Sequence, residues 1–276
     1  MTPPIFSRLN AHICADLSRI LYDSLDSWDA ADKPEEGSDS PALTPDLSTL
    51  PNIAGNSPLV FRESWARRRK PGPRTRYVEV TESTPGALIA QSEDGTIYIA
   101  HRGTKTSKEW DVDSQAVPKT LEVNGNDLGK VHRGFHRTYF SCEAKLKSSL
   151  TQLLNDTGIT STSLIITGHS LGAAVSTLHT RAFVPADWGL PSDIPFGALT
   201  FASPQPGVES FKNSFEDADE KCRHIINKND LVPKLPGVAE YCHTGRIMYI
   251  DTDFGGPGDN HSMANYKSKI DDLFPA

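Results

Sequence analysis

Apolar residues near the start of the chain follow two different spacings. Between residues 5 and 25 they recur every three to four positions, which predicts an amphipathic helix packed on the main body. The segments 75–80, 86–91 and 96–101 are rich in β-branched and aromatic residues and are separated by turn residues, which predicts three strands. The first part of the chain is therefore expected to combine one helix with a run of hairpin-like strands.

From residue 134 onward, segments with helical spacing alternate with short apolar runs. This alternation is typical of an α/β fold with a mostly parallel central sheet and helices on both faces, and the earlier strands would form its antiparallel edge. No internal repeat is visible, so residues 1–276 are expected to form a single domain. The predicted helices cover 134–156, 171–184, 207–220 and 262–274, and the predicted strands cover 163–167, 196–202, 222–227 and 246–250.

Two polar segments interrupt the pattern. Residues 26–58 are dominated by Asp, Ser and Pro, and because this composition buries little surface we expect a long loop or a partly disordered segment. The basic run Arg67–Lys70 is short and is followed by Pro-Gly-Pro, which indicates a solvated loop.

Composition argues against several classes of protein. A formal net charge of -7 over 276 residues argues against a nucleic-acid binder. No window reaches the roughly 18 apolar residues of a membrane helix. The N terminus lacks the pattern of a secretory signal, so the chain as given is expected to be cytoplasmic, although a secreted protein whose signal had been removed would look the same. The sequence does not indicate an oligomeric state.

The cysteines and histidines give no sign of a metal or cofactor. Cys14, Cys142, Cys222 and Cys242 form no Cys-x-x-Cys pair, and the histidines lack ligand spacing, so no metal site or cofactor is expected. Without a secretory signal we expect reduced thiols. A disulfide between Cys222 and Cys242 is the alternative in an oxidising compartment.

The pentapeptide Gly168-His169-Ser170-Leu171-Gly172 carries the clearest chemistry. It fits the G-x-S-x-G nucleophile turn, and it lies where that motif belongs, between a predicted strand and a predicted helix. The serine of such a turn has a strained backbone, and side chains two residues to either side would collide with the neighbouring strand and helix. We therefore interpret Ser170 as a candidate nucleophile.

A serine nucleophile needs a base that is oriented by a carboxylate. Four histidines follow the motif, and topology separates them because sites in parallel sheets lie beyond the carboxyl ends of the strands. His179 lies about 13 Å along the following helix, and His224 lies inside a strand. His243 precedes the last strand, whereas His261 follows it and is the candidate base.

The same criterion selects the acid. Asp230 follows the strand predicted at 222–227, on a connection next to that of His261, and is the candidate acid. Asp251 also follows a strand, but on the same connection as His261, and is the alternative.

An oxyanion hole should stabilise the negative charge of the tetrahedral intermediate. One donor should be the backbone N–H of Leu171, directly after the serine, and the second should come from a loop after an earlier strand. Thr104 follows the strand predicted at 96–101 and offers its backbone N–H, with its hydroxyl as an additional donor.

Six segments of the chain carry motifs in a characteristic order. They are IAHRGTKTSKEWDVD (99–113), VHRGFHRTY (131–139), LIITGHSLGAA (164–174), FASPQPG (201–207), NDLVPKLP (229–236) and HSMANY (261–266). Together they resemble the class 3 lipase family of fungal-type lipases, which also includes feruloyl esterases and plant phospholipases. The resemblance implies an α/β-hydrolase fold that cleaves carboxylic esters with a Ser-His-Asp triad. It favours Asp230 over Asp251 as the acid and Thr104 as an oxyanion residue.

Residues 105–120 resemble the lid of that family, but they carry five charges up to Asp113 and few apolar residues. Because a lid that meets lipid exposes an apolar face, we expect little interfacial activation and a preference for soluble, short-to-medium acyl esters. The expected substrate is a small-molecule or lipid ester. Acyl transfer is the alternative, since it shares the acyl-enzyme, and a non-catalytic binding module is a weaker one. His101 stands where the family usually has an aromatic residue.

Overall fold

The computed structural model describes residues 5–70, 76–104, 116–215 and 217–274, without the side chains of 65–70 and 76–80. The helices are α1 (Arg8–Ala30), α2 (Arg133–Thr157), α3 (Leu171–Ala182), α4 (Glu209–Asn213), α5 (Ala218–Lys221), α6 (Pro257–Asn260), α7 (Met263–Lys267) and α8 (Ile270–Leu273). The strands are β1 (Ile53–Asn56), β2 (Val60–Lys70), β3 (Arg76–Ser92), β4 (Thr96–His101), β5 (Pro118–Val123), β6 (Asn126–His132), β7 (Ser163–His169), β8 (Phe196–Phe201), β9 (Gly207–Val208), β10 (Cys222–Asn227), β11 (Tyr241–Cys242) and β12 (Arg246–Ile250).

An eight-stranded sheet forms the centre of the fold, in the order β1-β3-β4-β7-β8-β10-β12, with β2 also paired to β3. Within this sheet, β4, β7, β8, β10 and β12 run parallel to one another. The strands β1, β2 and β4 run antiparallel to β3. The predicted α/β class, with a mostly parallel sheet and an antiparallel edge, is confirmed. All seven residues of β7 are buried, because α1 and α3 both contact this strand.

Helix α1 packs its apolar face on this sheet. It begins after Ser7, whose hydroxyl accepts a hydrogen bond from the backbone N–H of Asn10 at 3.1 Å. It continues to Ala30, beyond the predicted end at residue 25, because Trp28 is buried against Phe61 with ring centroids 5.8 Å apart. Neither α1 nor any other helix in the described ranges is long and apolar enough to cross a membrane.

The segment 26–58 is for the most part a long loop, one of the two predicted alternatives, but it is anchored to the core. It contains the end of α1, a 3-10 turn and strand β1. Leu43, Leu47 and Leu50 are buried and belong to the same core cluster as α1. A few leucines therefore anchor a segment whose average composition is polar, because each buried side chain contributes about 2 kcal/mol by leaving water.

Strands β2 and β3 form a long hairpin that corrects two expectations. The basic run Arg67–Lys70 lies in β2, paired with β3, and not in a solvated loop. The strands predicted at 75–80 and 86–91 are parts of the single strand β3. Gly86 lets the Arg62 side chain pass closely over β3, because a Cβ at this position would lie 2.3 Å from Arg62 Cγ.

A second, four-stranded sheet was not predicted; its order is β11-β9-β6-β5. Two of its strands have only two residues, and such short strands show no readable alternation. Of the lid-like segment at 105–120, residues 105–115 lie outside the described residues, and 118–120 belong to β5. The segment predicted as a helix at 207–220 contains β9, α4 and part of α5, and that at 262–274 contains α7 and α8.

All four cysteines are free thiols, so the alternative disulfide between Cys222 and Cys242 is not formed. Cys14, Cys142 and Cys222 are buried. Burial raises the pKa of Cys14 and of Cys142 to about 12. These two thiols are therefore protonated at neutral pH and behave as small apolar side chains.

Several histidines lie in the interior of the fold. His101 Nε2 and His179 Nδ1 are 3.0 Å apart, and His224 Nδ1 accepts a hydrogen bond from the Thr200 hydroxyl at 2.7 Å. Burial lowers the pKa of His101 and of His224 to about 3, and that of His179 well below its ordinary value. These histidines are therefore neutral at pH 7, and charging them opposes folding.

We expect the free energy of unfolding to fall as the pH drops below about 6.5, because the unfolded chain then binds protons that the folded chain excludes. His101 and His224 should each contribute a loss of about 2 kcal/mol between pH ~7 and pH ~5. Urea unfolding over this range measures the dependence. A His224→Gln variant should show a shallower dependence, because it removes one of the groups that the folded chain keeps neutral. An unchanged slope in His224→Gln would contradict the assignment.

Candidate active site

Ser170 occupies a sharp turn between β7 and α3. Its backbone has φ 60° and ψ -130°, a combination that residues with a side chain rarely adopt. The Ser170 N–H donates to the carbonyl of Phe201 on the neighbouring strand β8 at 3.0 Å. The turn needs both glycines, because a Cβ at Gly172 would lie 2.1 Å from the His101 carbonyl oxygen, and one at Gly168 would lie 2.6 Å from Gly172.

The three residues selected as a candidate triad form one hydrogen-bonded chain. His261 Nε2 lies 2.9 Å from Ser170 Oγ, and His261 Nδ1 lies 2.7 Å from Asp230 Oδ2. Asp230 is 1% exposed, whereas 22% of the His261 side chain is exposed. Because a carboxylate only accepts hydrogen bonds, Nδ1 carries the proton and Nε2 is free to accept the serine hydroxyl.

Parallel strands bring these residues to one edge of the sheet. Ser170 directly follows β7, Asp230 follows β10, and His261 follows β12 and the short helix α6. The strands β7, β8, β10 and β12 are neighbours and run parallel. Their carboxyl ends therefore meet at the same edge, where α/β folds collect their sites.

The alternatives that the sequence left open lie elsewhere. The Asp251 side chain is 68% exposed and pairs with Lys228 Nζ at 2.7 Å, outside the hydrogen-bonded chain. His179 and His224 are fully buried in the interior. His243 donates Nε2–H to a backbone carbonyl at 2.9 Å. None of these three histidines is hydrogen bonded to the serine in the described structure.

Tyr266 is a contributor to the site that the sequence reasoning did not identify. Its hydroxyl donates to Asp230 Oδ2 at 2.8 Å and accepts from the Asn227 N–H at 2.9 Å. Asp230 Oδ1 accepts from the Val232 N–H at 2.9 Å. The sequence presents Tyr266 as a core residue of the closing helix, and it is 0% exposed. Its role is visible only once α7 is seen to pack beside Asp230.

His169 links the turn to the backbone of His261. Its Nε2 lies 2.8 Å from the carbonyl oxygen of His261, and its Nδ1 lies 2.9 Å from the Tyr22 hydroxyl of α1. Burial and the nearby His261 hold the pKa of His169 well below its ordinary value. A neutral ring with its proton on Nε2 satisfies both contacts, since Nε2–H then donates and Nδ1 accepts. The side chain preceding Ser170 thus positions the loop of the candidate base.

The predicted oxyanion residues lie beside the serine. Leu171 is the first residue of α3, so its N–H has no acceptor within the helix. A Cβ on Gly103 would lie 3.1 Å from Ser170 Cβ, so the loop after β4 packs against the serine. The Thr104 hydroxyl is buried, and no described residue hydrogen bonds to it. The Thr104 hydroxyl therefore has no described hydrogen-bond partner that would compete with its predicted role.

Buried arginines fix the same loop. Arg102 is 0% exposed, and its guanidinium donates to the carbonyl oxygens of Pro85 and Gly103 at 2.7 and 2.8 Å. The guanidinium of Arg62 donates to the Arg102 carbonyl oxygen at 2.7 Å. The loop is therefore preorganised by charge-assisted hydrogen bonds. Among the described residues, no group of three or more His, Cys, Asp or Glu side chains could hold a metal ion.

Relatives of known sequence or structure share this architecture. The family model described as "Lipase (class 3)" matches residues 98–240. A phospholipase A1-II 5 from Oryza sativa subsp. indica is 28% identical over an alignment of 305 positions, which covers 91% of this chain and 63% of that protein. The chain therefore spans less than two thirds of the length of this relative.

Two solved structures extend the comparison. The Yarrowia lipolytica LIP2 lipase is 19% identical with a TM-score of 0.54, over 88% of this chain and 79% of that one. A triacylglycerol lipase whose catalytic centre is a serine protease triad is 25% identical with a TM-score of 0.50, over 70% of this chain and 68% of that one.

The sheet order, the flanking helices and the strained serine turn define an α/β-hydrolase fold. Because the family model covers more than half of the residues, the chain belongs to the class 3 lipase family.

The backbone strain at Ser170 can be measured directly. We expect Ser170→Gly to be more stable than Ser170→Ala by about 1 kcal/mol. Glycine relieves a backbone strain of about 1–3 kcal/mol. Its greater conformational entropy in the unfolded chain offsets about 1 kcal/mol of this gain. Both variants lack the hydroxyl, so the hydrogen bond to His261 cancels from the comparison. Urea unfolding of the two variants gives the difference. An alanine variant at least as stable as the glycine variant would show that the turn is unstrained.

Proposed function

We propose that the chain is a serine hydrolase that cleaves carboxylic esters, with Ser170, His261 and Asp230 as its triad. The observation that carries the proposal is the hydrogen-bonded chain from Asp230 Oδ2 through His261 to Ser170 Oγ, with links of 2.7 and 2.9 Å. These distances lie within the range needed for proton transfer. The strained turn supports the same reading, because strain of this kind concentrates at functional sites.

The first half of the reaction forms an acyl-enzyme. His261 Nε2 removes the proton of Ser170 as Oγ attacks the ester carbonyl, and a tetrahedral intermediate results. Asp230 holds the imidazole in the Nδ1–H tautomer and stabilises the imidazolium. The imidazolium then gives its proton to the leaving alkoxy oxygen, and the alcohol departs.

The second half of the reaction repeats these steps with water. His261 Nε2 removes a proton from a water molecule, the hydroxide attacks the acyl carbonyl, and Ser170 recovers its proton as the carboxylic acid leaves. In both halves, the N–H groups of Leu171 and Thr104 and the Thr104 hydroxyl donate to the oxyanion.

We propose soluble, short-to-medium acyl esters as the substrates. The support comes from composition, because residues 105–113 hold five charged side chains in nine positions. A lid meant to open onto lipid would present a larger apolar surface.

Ser170→Ala should abolish hydrolysis of p-nitrophenyl butyrate, because no nucleophile remains, while circular dichroism shows an unchanged fold. Asp230→Asn should lower kcat by about three to four orders of magnitude, since the amide favours the wrong imidazole tautomer. Asp251→Asn is the matched control, because it makes the same change at an exposed carboxylate outside the triad. Its kcat should stay within about twofold of the wild type.

These outcomes would contradict the proposal in two ways. Residual turnover by Ser170→Ala at the wild-type rate would remove the serine from the mechanism. A large loss in Asp251→Asn together with normal turnover in Asp230→Asn would reverse the assignment of the acid.

The substrate proposal is tested with a series of p-nitrophenyl esters of increasing acyl length, each assayed below and above its micelle threshold. We expect turnover to be highest for short and medium chains and to saturate smoothly with concentration, because the lid-like segment contains few apolar residues. A sharp rise of activity at the micelle threshold would instead indicate interfacial activation.

A further inference from the structure

A pocket of about 510 Å³ opens beside Asp230, and neither Ser170 nor His261 lines it. Residues of β10 and β12 form one wall of the pocket. Pro233 and His243, from the connection between these two strands, also line it. Its volume falls within the range of pockets that hold small ligands. The ester chemistry derived above does not use this space.

One wall of the pocket is apolar. Ile226 and Tyr249 are register partners on β10 and β12, and Ile247 lies on the same side of β12 as Tyr249 because side chains alternate along a strand. Tyr249 is 54% exposed and Ile247 is partly exposed. This wall can bury an unbranched alkyl chain, which would remove apolar surface from water.

Two lysines make the rim of the pocket cationic. Lys228 pairs with the exposed Asp251, and both side chains are more than half exposed, so the pair is weak. The Lys228 Nζ also lies over the Tyr249 ring, 5.9 Å from its centroid. Lys234 is exposed and forms no ion pair with a described residue. Two cations therefore flank the opening in a chain whose formal net charge is -7. An anionic head group fits this rim.

Hydrogen bonds fix the orientation of His243 and Asp230, two other titratable groups that line the pocket. His243 donates Nε2–H to the Pro233 carbonyl, and burial lowers its pKa, so the ring is neutral. Its Nδ1 is buried and has no partner among the described residues. The carboxylate of Asp230 keeps its negative charge, but it is 1% exposed and its oxygens accept hydrogen bonds from His261, Tyr266 and the Val232 N–H. The two lysines, by contrast, are exposed at the rim.

We propose that this pocket is a second site that binds a medium-chain carboxylate. The alkyl chain lies against Ile226, Ile247 and Tyr249, and the carboxylate lies between Lys228 and Lys234. The site goes beyond the proposed function and does not depend on it, because binding needs no chemistry at Ser170.

The test is calorimetric titration of the full chain with decanoate below its micelle threshold. Ser170 is first modified with an alkyl phosphonate ester, so that an acyl chain already fills the candidate active site, and mass spectrometry measures the labelling. We expect labelled protein to bind decanoate as tightly as unlabelled protein. Failure of labelling would count against Ser170 as the nucleophile and not against the pocket, because substitutions of residues that line the pocket show where decanoate binds without any labelling.

The double variant Lys228→Gln/Lys234→Gln should weaken decanoate binding about tenfold, because it removes both cations of the rim. Lys119→Gln/Lys130→Gln is the matched control, since it removes two exposed lysines of the second sheet. Its affinity should stay within about twofold of the wild type. Ile247→Trp should abolish binding by filling the pocket, and its melting temperature reports whether it folds.

Ligands with the same alkyl chain and different head groups separate the contribution of the head-group charge from that of the chain. Decanol should bind at least about tenfold more weakly than decanoate, and decyltrimethylammonium should not bind. The proposal is overturned if decanoate does not bind, if the lysine variant behaves like its control, or if decanol binds as tightly as decanoate. Loss of binding after complete labelling of Ser170 would also overturn it, because decanoate would then occupy the active site.

Discussion

The close approach of two backbones beside Ser170 sets the geometry of the whole site. The carbonyl of His101, at the end of β4, meets the first turn of α3 with no room for a side chain between them, and Gly172 provides that space. The parallel register of β4 and β7 places His101 opposite Gly168. The contact that constrains the serine turn therefore also holds the loop after β4 against the serine, at Gly103. A wider turn would separate the candidate nucleophile from that loop.

A buried carboxylate imposes the second constraint. Asp230 is 1% exposed, and a charge in that position is tolerated only when hydrogen-bond donors surround it. His261, Tyr266 and the Val232 N–H supply these donors. On the other side of the site, the Tyr22 hydroxyl is hydrogen bonded to His169, which in turn is hydrogen bonded to the His261 carbonyl. Helices from both ends of the chain thus support the triad, so its geometry depends on the packing of the core.

The fold class and the placement of the three candidate triad residues at one edge of the sheet could be predicted because their signals are local. Each triad residue follows a short apolar strand, and a parallel sheet places all such positions at one edge. The second sheet could not be predicted, since β9 and β11 have two residues each and pair with distant segments. The anchoring of residues 26–58 to the core was also missed, because average composition conceals the few leucines that bury themselves there.

The sequence alone determined the serine turn, because its two glycines and the change from strand to helix are contained in adjacent residues. It also identified the strand ends that carry the candidate acid and the candidate base. Only the tertiary structure decided that Asp230 faces His261 while Asp251 points to solvent and pairs with Lys228. The same holds for Tyr266, which meets Asp230 only after α7 has packed. The contacts of Asp230, Asp251 and Tyr266 depend on the path of each connection and on the direction of each side chain. Both are determined by packing between segments that are distant in the sequence.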